Sequence, residues 1–220
     1  MPKAVVLLSG GLDSAVTLAC SIKDGNETIA LSLRYGQRHL REIEAAKAVA
    51  KHYGVEHIVM HIDMSSFRSS LIGNSKDIEK DREQIGKDIP DTYVPARNII
   101  MMSVAAGLCE SVGAEMIYTG ANSVDYSGYP DCRKEFFEAF EEMIAKGTKA
   151  GVEGRPIKIM TPILELSKSE IIKLGMRSNA PLHLTWSCYN GLGRPCGHCD
   201  SCIIRKKGFE EAGYKDGAVE

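Results

Sequence analysis

The sequence predicts an α/β fold, a doubly wound parallel sheet, and three observations predict it. Short apolar runs of strand length alternate with helix-length segments carrying one apolar face; the early connections are short; and a glycine turn stands where the first strand hands over to the first helix. Residues 4–8 (AVVLL) form a continuous apolar run, the mark of a strand covered on both faces, and 14–23 read as the helix after it. A second strand covers 29–33. The segment from 40 to 53 places Ile43, Ala46, Val49 and Ala50 on one helical face, with Gly54 at its stop position. A third strand at 57–62 completes a strand–helix–strand–helix–strand order, which calls for right-handed crossovers and helices on both faces.

Residues 64–93 break this rhythm: rich in Ser, Asp, Lys and Glu without periodicity, they read as an excursion near a ligand site. Periodicity returns in a buried helix at 98–112, with Met101 and Met102 as core, and a strand follows at 116–119. Residues 121–133 (ANSVDYSGYPDCR) mix glycine, proline and polar residues, as pocket-shaping loops do, before a helix at 134–145. A strand at 157–160 and a short helix at 167–174 precede a cysteine-rich tail.

A length of 220 residues suits one well-filled domain, here 1–220, and no repeat or low-complexity tract divides it. With 44% hydrophobic and 25% charged residues the composition is that of a globular protein, and no apolar run approaches the ~18 residues that span a bilayer. The N-terminal MPKAVVLLSG lacks the plan of a secretion signal, so a cytoplasmic protein with no membrane partner is expected. A net charge of -2 gives no global attraction to nucleic acid, and the tail KKGFEEAGYKDGAVE is mixed in charge, so no nucleic-acid partner is expected either.

Ser9-Gly10-Gly11-Leu12-Asp13-Ser14 sits between the first strand and the first helix. Paired glycines let backbone N–H groups approach phosphate oxygens, and the helix start behind them adds unpaired donors and a positive dipole end. The Lys of the G-x-x-x-x-G-K-[ST] phosphate loop is missing, which disfavours γ-phosphate transfer. A carboxylate at Asp13 would repel a polyphosphate unless it holds a metal ion or fixes the loop through backbone N–H groups. The competing reading is a glycine turn capped by Asp13 or Ser14.

Of seven cysteines, Cys188, Cys196, Cys199 and Cys202 crowd within fifteen residues. Two successive C-x-x-C spacings plus a fourth thiolate can close a tetrahedron around one structural Zn²⁺ per chain, within a segment at 186–204. An iron–sulfur cluster, or His198 in place of Cys188, is the competing arrangement. Arg194, Arg205, Lys206 and Lys207 could offset the excess thiolate charge.

S-G-G-x-D-S after a first strand resembles the PP-loop of the ATP pyrophosphatases, which include GMP, NAD and argininosuccinate synthetases and tRNA-modifying enzymes. That resemblance implies an adenine nucleotide α-hydrolase-like sheet and attack of a substrate oxygen on the α-phosphorus of ATP, with Mg²⁺-assisted loss of pyrophosphate. Further landmarks narrow it: Leu33-Arg34-Tyr35-Gly36-Gln37-Arg38-His39, Tyr93-Val94-Pro95-Ala96-Arg97-Asn98, Asp125-Tyr126-Ser127-Gly128-Tyr129-Pro130-Asp131-Cys132-Arg133, and Cys188-Tyr189-Asn190-Gly191 leading into the cysteine cluster. Their order resembles the 7-cyano-7-deazaguanine synthase family over almost the entire chain; the mild departure is Leu12, where that family commonly has Gln.

The resemblance implies that ATP activates the oxygen of 7-carboxy-7-deazaguanine and then of its amide, that ammonia supplies the nitrogen, and that the enzyme is a homodimer. It implies an ATP site made by Leu8, Ser9, Gly10, Gly11, Leu12, Asp13, Ser14 and Gly120. Asp13, Arg97 and Lys168 are the catalytic candidates, Lys168 against departing pyrophosphate and Arg97 as a clamp on phosphate or the substrate carboxylate. Tyr129 is expected to stack on the base, and Asp131 and Arg133 to read its edge. Surface ion pairs for Arg97 and Arg133, a solvated Lys168 and a packed Tyr129 are the rival readings. The rival functions are a PP-loop enzyme that adenylates a tRNA base and a non-catalytic zinc and nucleotide-binding module.

Overall fold

A computed structural model describes residues 1–36, 40–67, 69, 93–124, 129–190 and 193–218. Gln37, Arg38 and His39, residues 125–128, Gly191 and most of the 64–93 excursion lie outside the described residues.

Five parallel strands, β1 (Lys3–Leu7), β2 (Glu27–Arg34), β3 (Glu56–His61), β4 (Met116–Tyr118) and β5 (Lys158–Met160), lie in the order β3-β2-β1-β4-β5. Val5 pairs with Ile29 on one side and Ile117 on the other. The chain therefore builds outward from β1 to β3, returns, and builds outward the other way. The reversal between β1 and β4 leaves a crevice over their carboxyl ends, where open α/β sheets take ligands.

Alternation along β1 explains the two layers. Val5 packs into a core with Met102, Ala105 and Cys109 of α3 (Arg97–Ser111) and Phe137, Phe140 and Ile144 of α4 (Lys134–Gly147). Ala4 and Val6 point the other way, onto Ala15 and Leu18 of α1 (Leu12–Lys23) and Ala46, Val49 and Ala50 of α2 (Arg41–Tyr53). Helices on both faces are what the sequence led us to expect of a doubly wound sheet. A short α5 (Lys149–Val152) follows α4.

Outside α1 lies a further layer, α6 (Lys168–Arg177) and α7 (Asp200–Ala212), in which Ile171, Ile172 and Phe209 pack against Val16 and Ala19. Helix α7 was not expected from the sequence; it lies within the expected cysteine-rich tail, and α6 runs three residues beyond the expected 174. A capping box starts α6: Ser167 Oγ accepts from Glu170 N–H, and the Glu170 carboxylate accepts from Ser167 N–H at 2.8 Å. It fixes Lys168 as the first helical residue. Among the described residues no helix is long and apolar enough to cross a membrane.

Candidate active site and cysteine centre

The crevice is a cleft of about 270 Å³. The turn between β1 and α1 forms its floor. Gly10 has φ +91°, and a Cβ there would lie 2.0 Å from the Glu42 carbonyl oxygen, so α2 rests directly on the loop backbone. At Gly120, after β4, a Cβ would meet Asp13 and Ser14 backbone atoms at 3.1 Å, so the second wall also packs tightly on the loop. Ser9 Oγ accepts from Gly11 N–H at 3.2 Å and lies 3.0 Å from Ser14 Oγ, which donates to Gly11 O. Leu8, Ser9, Gly11, Leu12, Asp13 and Ser14 line the cleft together with Gly120, while Gly10 supports the loop from behind.

The expected repulsion of Asp13 finds a third resolution. Lys168 Nζ, though far off in sequence, donates to both carboxylate oxygens at 2.6 and 2.8 Å. Lys168 is 9% exposed, which removes the reading of a solvated helix residue. Its stem passes α7 at Gly208, where a Cβ would lie 2.3 Å from Lys168 Cγ.

The left-handed Ala96 (φ 55°) turns the chain so that Arg97 opens α3 toward the cleft. Burial works against the Arg97 charge, but the phenol groups of Tyr35, Tyr129 and Tyr189 outweigh it and the guanidinium holds its proton more firmly than usual. Tyr129 lines the cleft and tilts against Tyr93, ring centroids 5.6 Å apart.

Neither Asp131 nor Arg133 lines the cleft. Asp131 is buried and its carboxylate accepts from the Asn98 N–H at 3.0 Å, satisfying one of the orphan donors at the start of α3. Arg133 is exposed at the start of α4. Cys132 takes a hydrogen bond from Asn98 Nδ2, and burial pushes its thiol up to about 11, so it stays protonated near neutrality.

The Sγ atoms of Cys188, Cys196, Cys199 and Cys202 lie within 4.8 Å of one another. Sulfurs ~2.3 Å from a tetrahedral zinc stand roughly 3.8 Å apart, so the four residues fit such an ion. Among the described residues His198 is not part of the group. Gly197 turns the knuckle with φ 78°, and the N–H groups of Cys196 and Cys199 donate to the sulfurs of Cys188 and Cys196. Hydrogen bonds from Cys199 and Cys202 hold the Cys188 thiol far below its ordinary range.

This centre is tied to the loop at 9–14. Trp186 N–H donates to Gly10 O at 2.9 Å, its indole N–H to Cys188 O at 2.8 Å, and the Arg41 guanidinium lies 5.2 Å over the indole ring and donates to Gly193 O. Arg205 holds the same wall from α7, donating to Thr185 Oγ1, Ser187 Oγ, Leu182 O and both Asp216 oxygens.

Sequence reasoning passed over Glu42, Trp186 and Asn122, and gave Arg205 only the role of offsetting thiolate charge. Asn122 Nδ2 donates to Ile163 O and Leu166 O, fixing the loop after β4 to the approach of α6. Glu42 lines the cleft from the first turn of α2, and burial, opposed by the Arg97 charge, raises its carboxyl to about 7. An acidic residue in a helix's first turn is ordinary, so nothing in the sequence set it apart.

The pattern of the family described as queuosine biosynthesis protein QueC matches residues 3–213. A 7-cyano-7-deazaguanine synthase of Acetivibrio thermocellus is 52% identical over 217 residues, covering 98% of this chain and 96% of its own length. Its namesake in Ralstonia pickettii is 53% identical over 218 residues, with 97% and 96% covered. That of Thermoplasma acidophilum is 47% identical over 215 residues, with 97% and 90% covered.

Proposed function

The chain belongs to the QueC family of queuosine biosynthesis proteins, and on that premise we propose how its cleft performs the family's reaction. Its activity is the ATP-dependent formation of 7-cyano-7-deazaguanine, which makes it a ligase. One observation carries this: the match over 3–213 runs through every wall of the cleft.

The substrates we assign are 7-carboxy-7-deazaguanine, ammonia and ATP carrying Mg²⁺. A carboxylate resists ammonia because oxide is a poor leaving group. Attack of its oxygen on the α-phosphorus expels pyrophosphate and leaves an acyl adenylate, from which ammonia displaces AMP. The resulting amide oxygen is adenylated in turn, and loss of AMP gives the nitrile. One nucleotide site serves both rounds.

The polyphosphate takes the loop of Leu8, Ser9, Gly10, Gly11, Leu12, Asp13 and Ser14, with Gly120 closing over it. Lys168, oriented by Asp13, neutralises the charge developing on pyrophosphate; the bidentate pair at 2.6 and 2.8 Å supports this. Arg97 grips the substrate carboxylate and Tyr129 stacks on the ring, both being cleft residues. Asp131 contributes through α3, by holding the turn that presents Arg97, and Arg133 has no contact with substrate in this reading.

The occupant we assign to the four cysteines is one Zn²⁺ per chain. With all four positions filled by protein it supplies rigidity to 186–204 and no chemistry. The whole of 1–220 then works as one PP-loop domain, in a cytoplasmic homodimer.

The test is incubation with Mg-ATP, ammonium and the 7-deazaguanine acid, with products followed by mass spectrometry. Amide and nitrile should appear with AMP and pyrophosphate, two ATP consumed per nitrile. Absence of AMP when this acid is supplied would refute the substrate assignment.

A further inference from the structure

Both nitrogen steps release protons that need an acceptor. When ammonia attacks the acyl adenylate a C–N bond forms, the C–O bond to AMP breaks and one proton leaves nitrogen. In the second round both amide protons leave nitrogen: one as the adenylated amide becomes a neutral imidate, the other as its N–H electron pair goes to form the third C–N bond and AMP departs with the oxygen. A base must stand inside the cleft to take them at each stage.

Most ionisable groups that line the cleft are already committed. Asp13 holds Lys168 through both oxygens. Arg205 is spread over Asp216, Thr185, Ser187 and Leu182. Cys188 belongs to the metal-ligating set, and the Cys132 thiol and Tyr35 phenol are pushed away from neutrality by burial. Glu42 differs in place and in partners. Its own carbonyl rests on Gly10, so its side chain starts beside the nucleotide loop, and among the described residues no side chain hydrogen-bonds its carboxylate. Facing it are Arg97 from α3 and Tyr35 from the end of β2, with Tyr129 and Tyr189 behind Arg97 and the Asp13–Lys168 pair elsewhere in the cleft.

We propose that Glu42 is the catalytic base that accepts the nitrogen protons, first when ammonia attacks and again when the adenylated amide becomes nitrile. The inference rests on the substrate reading above. Arg97 and Glu42 then divide the work in one cleft: a fixed cation for the substrate's anionic end and a carboxylate for the proton. Burial keeps that carboxyl near neutrality, so it takes a proton and passes it to solvent between rounds.

Glu42→Gln keeps shape and removes basicity. Adenylation precedes any proton loss from nitrogen, so acid-dependent exchange of labelled pyrophosphate into ATP should stay within about threefold of the parent, while nitrile formation falls by about 10²–10⁴-fold. At fixed free ammonia, the parent's kcat/KM should lose activity below about pH 7 and the variant should lack that limb. Glu42→Asp should recover part of the rate, and carries the same comparison if Glu42→Gln fails to fold. Loss of exchange in a folded variant, or nitrile formation at the parent rate, would overturn the assignment. A parent enzyme without acid-dependent exchange would instead defeat the substrate reading on which it rests.

Discussion

Gly10→Ala separates backbone strain from steric intrusion. Gly10 and Gly25 both have positive φ, +91° and +80°, so an alanine at either meets the same left-handed penalty of about 1–2 kcal/mol. At Gly25 a Cβ finds nothing within 4 Å, whereas at Gly10 it lies 2.0 Å from Glu42 O and 2.8 Å from Ala46 N. Ordinary contact begins near 3.4 Å, so the first turn of α2 and the loop must part by more than an ångström. Overpacking of that kind adds about 1–3 kcal/mol, for a total of about 2–5 kcal/mol. A misplacement of ~1 Å at a reacting centre costs roughly 100-fold in rate. Urea unfolding and AMP release should therefore show Gly25→Ala destabilised yet active, and Gly10→Ala both less stable and slowed about 100-fold or more. If the two variants match within a factor of about two in rate, the close approach of α2 does not set the loop.

Lys168→Met strands the Asp13 carboxylate, so stability should fall by about 3 kcal/mol in urea; adding Asp13→Asn should restore most of it without restoring ATP turnover. Stability should also depend on pH through Glu42. Burial raises its carboxyl from an ordinary 4.5 to about 7, so the folded chain keeps a proton the unfolded chain has released, and this contribution is full below pH 4.5 and lost by pH 7. The loss is at most about 3 kcal/mol, and Glu42→Gln should remove it when unfolding free energies near pH 5 and pH 8 are compared. Cys196→Ser should remove about one equivalent of zinc by elemental analysis. Loosening the Trp186 hydrogen bond to Gly10 should also raise the ATP Kd about fivefold, the worth of one backbone bond of about 1 kcal/mol.

The sheet was legible because parallel strands buried on both faces read as unbroken apolar runs, as β1 does, and α2 carries its apolar face and stop glycine in plain view. The loop at 9–14 was legible as a tight turn, because two glycines at a strand-to-helix junction mark a close backbone approach, as Gly10 makes to α2. Helix α7 was not. Cys202 on it belongs to the cysteine cluster that could hold a metal ion, and Gly208, disfavoured in a helix by about 1 kcal/mol, is there to let Lys168 pass. Asp131 looked like a reader of ring donors by its chemistry alone. The fold gives it a backbone donor instead, the Asn98 N–H 33 positions away, and no local pattern announces such a contact. Glu42 escaped for the converse reason: what sets it apart is burial against Arg97, which arises only when α2 and α3 converge on the cleft.

The bond from Trp186 N–H to Gly10 O has a consequence for the growing chain. The loop at 9–14 leaves the ribosome well before its partner at 186, which follows about 176 residues later. At roughly 5–20 residues per second, that is a wait of about 9–35 seconds. Until then Gly10 lacks its cysteine-side support; Asp13 gains Lys168 only slightly earlier, and α7 joins α6 over α1 later still. A chain cut short of this segment therefore has an incomplete cleft, and the four cysteines that could hold a metal ion come together as the early loop gains its last support.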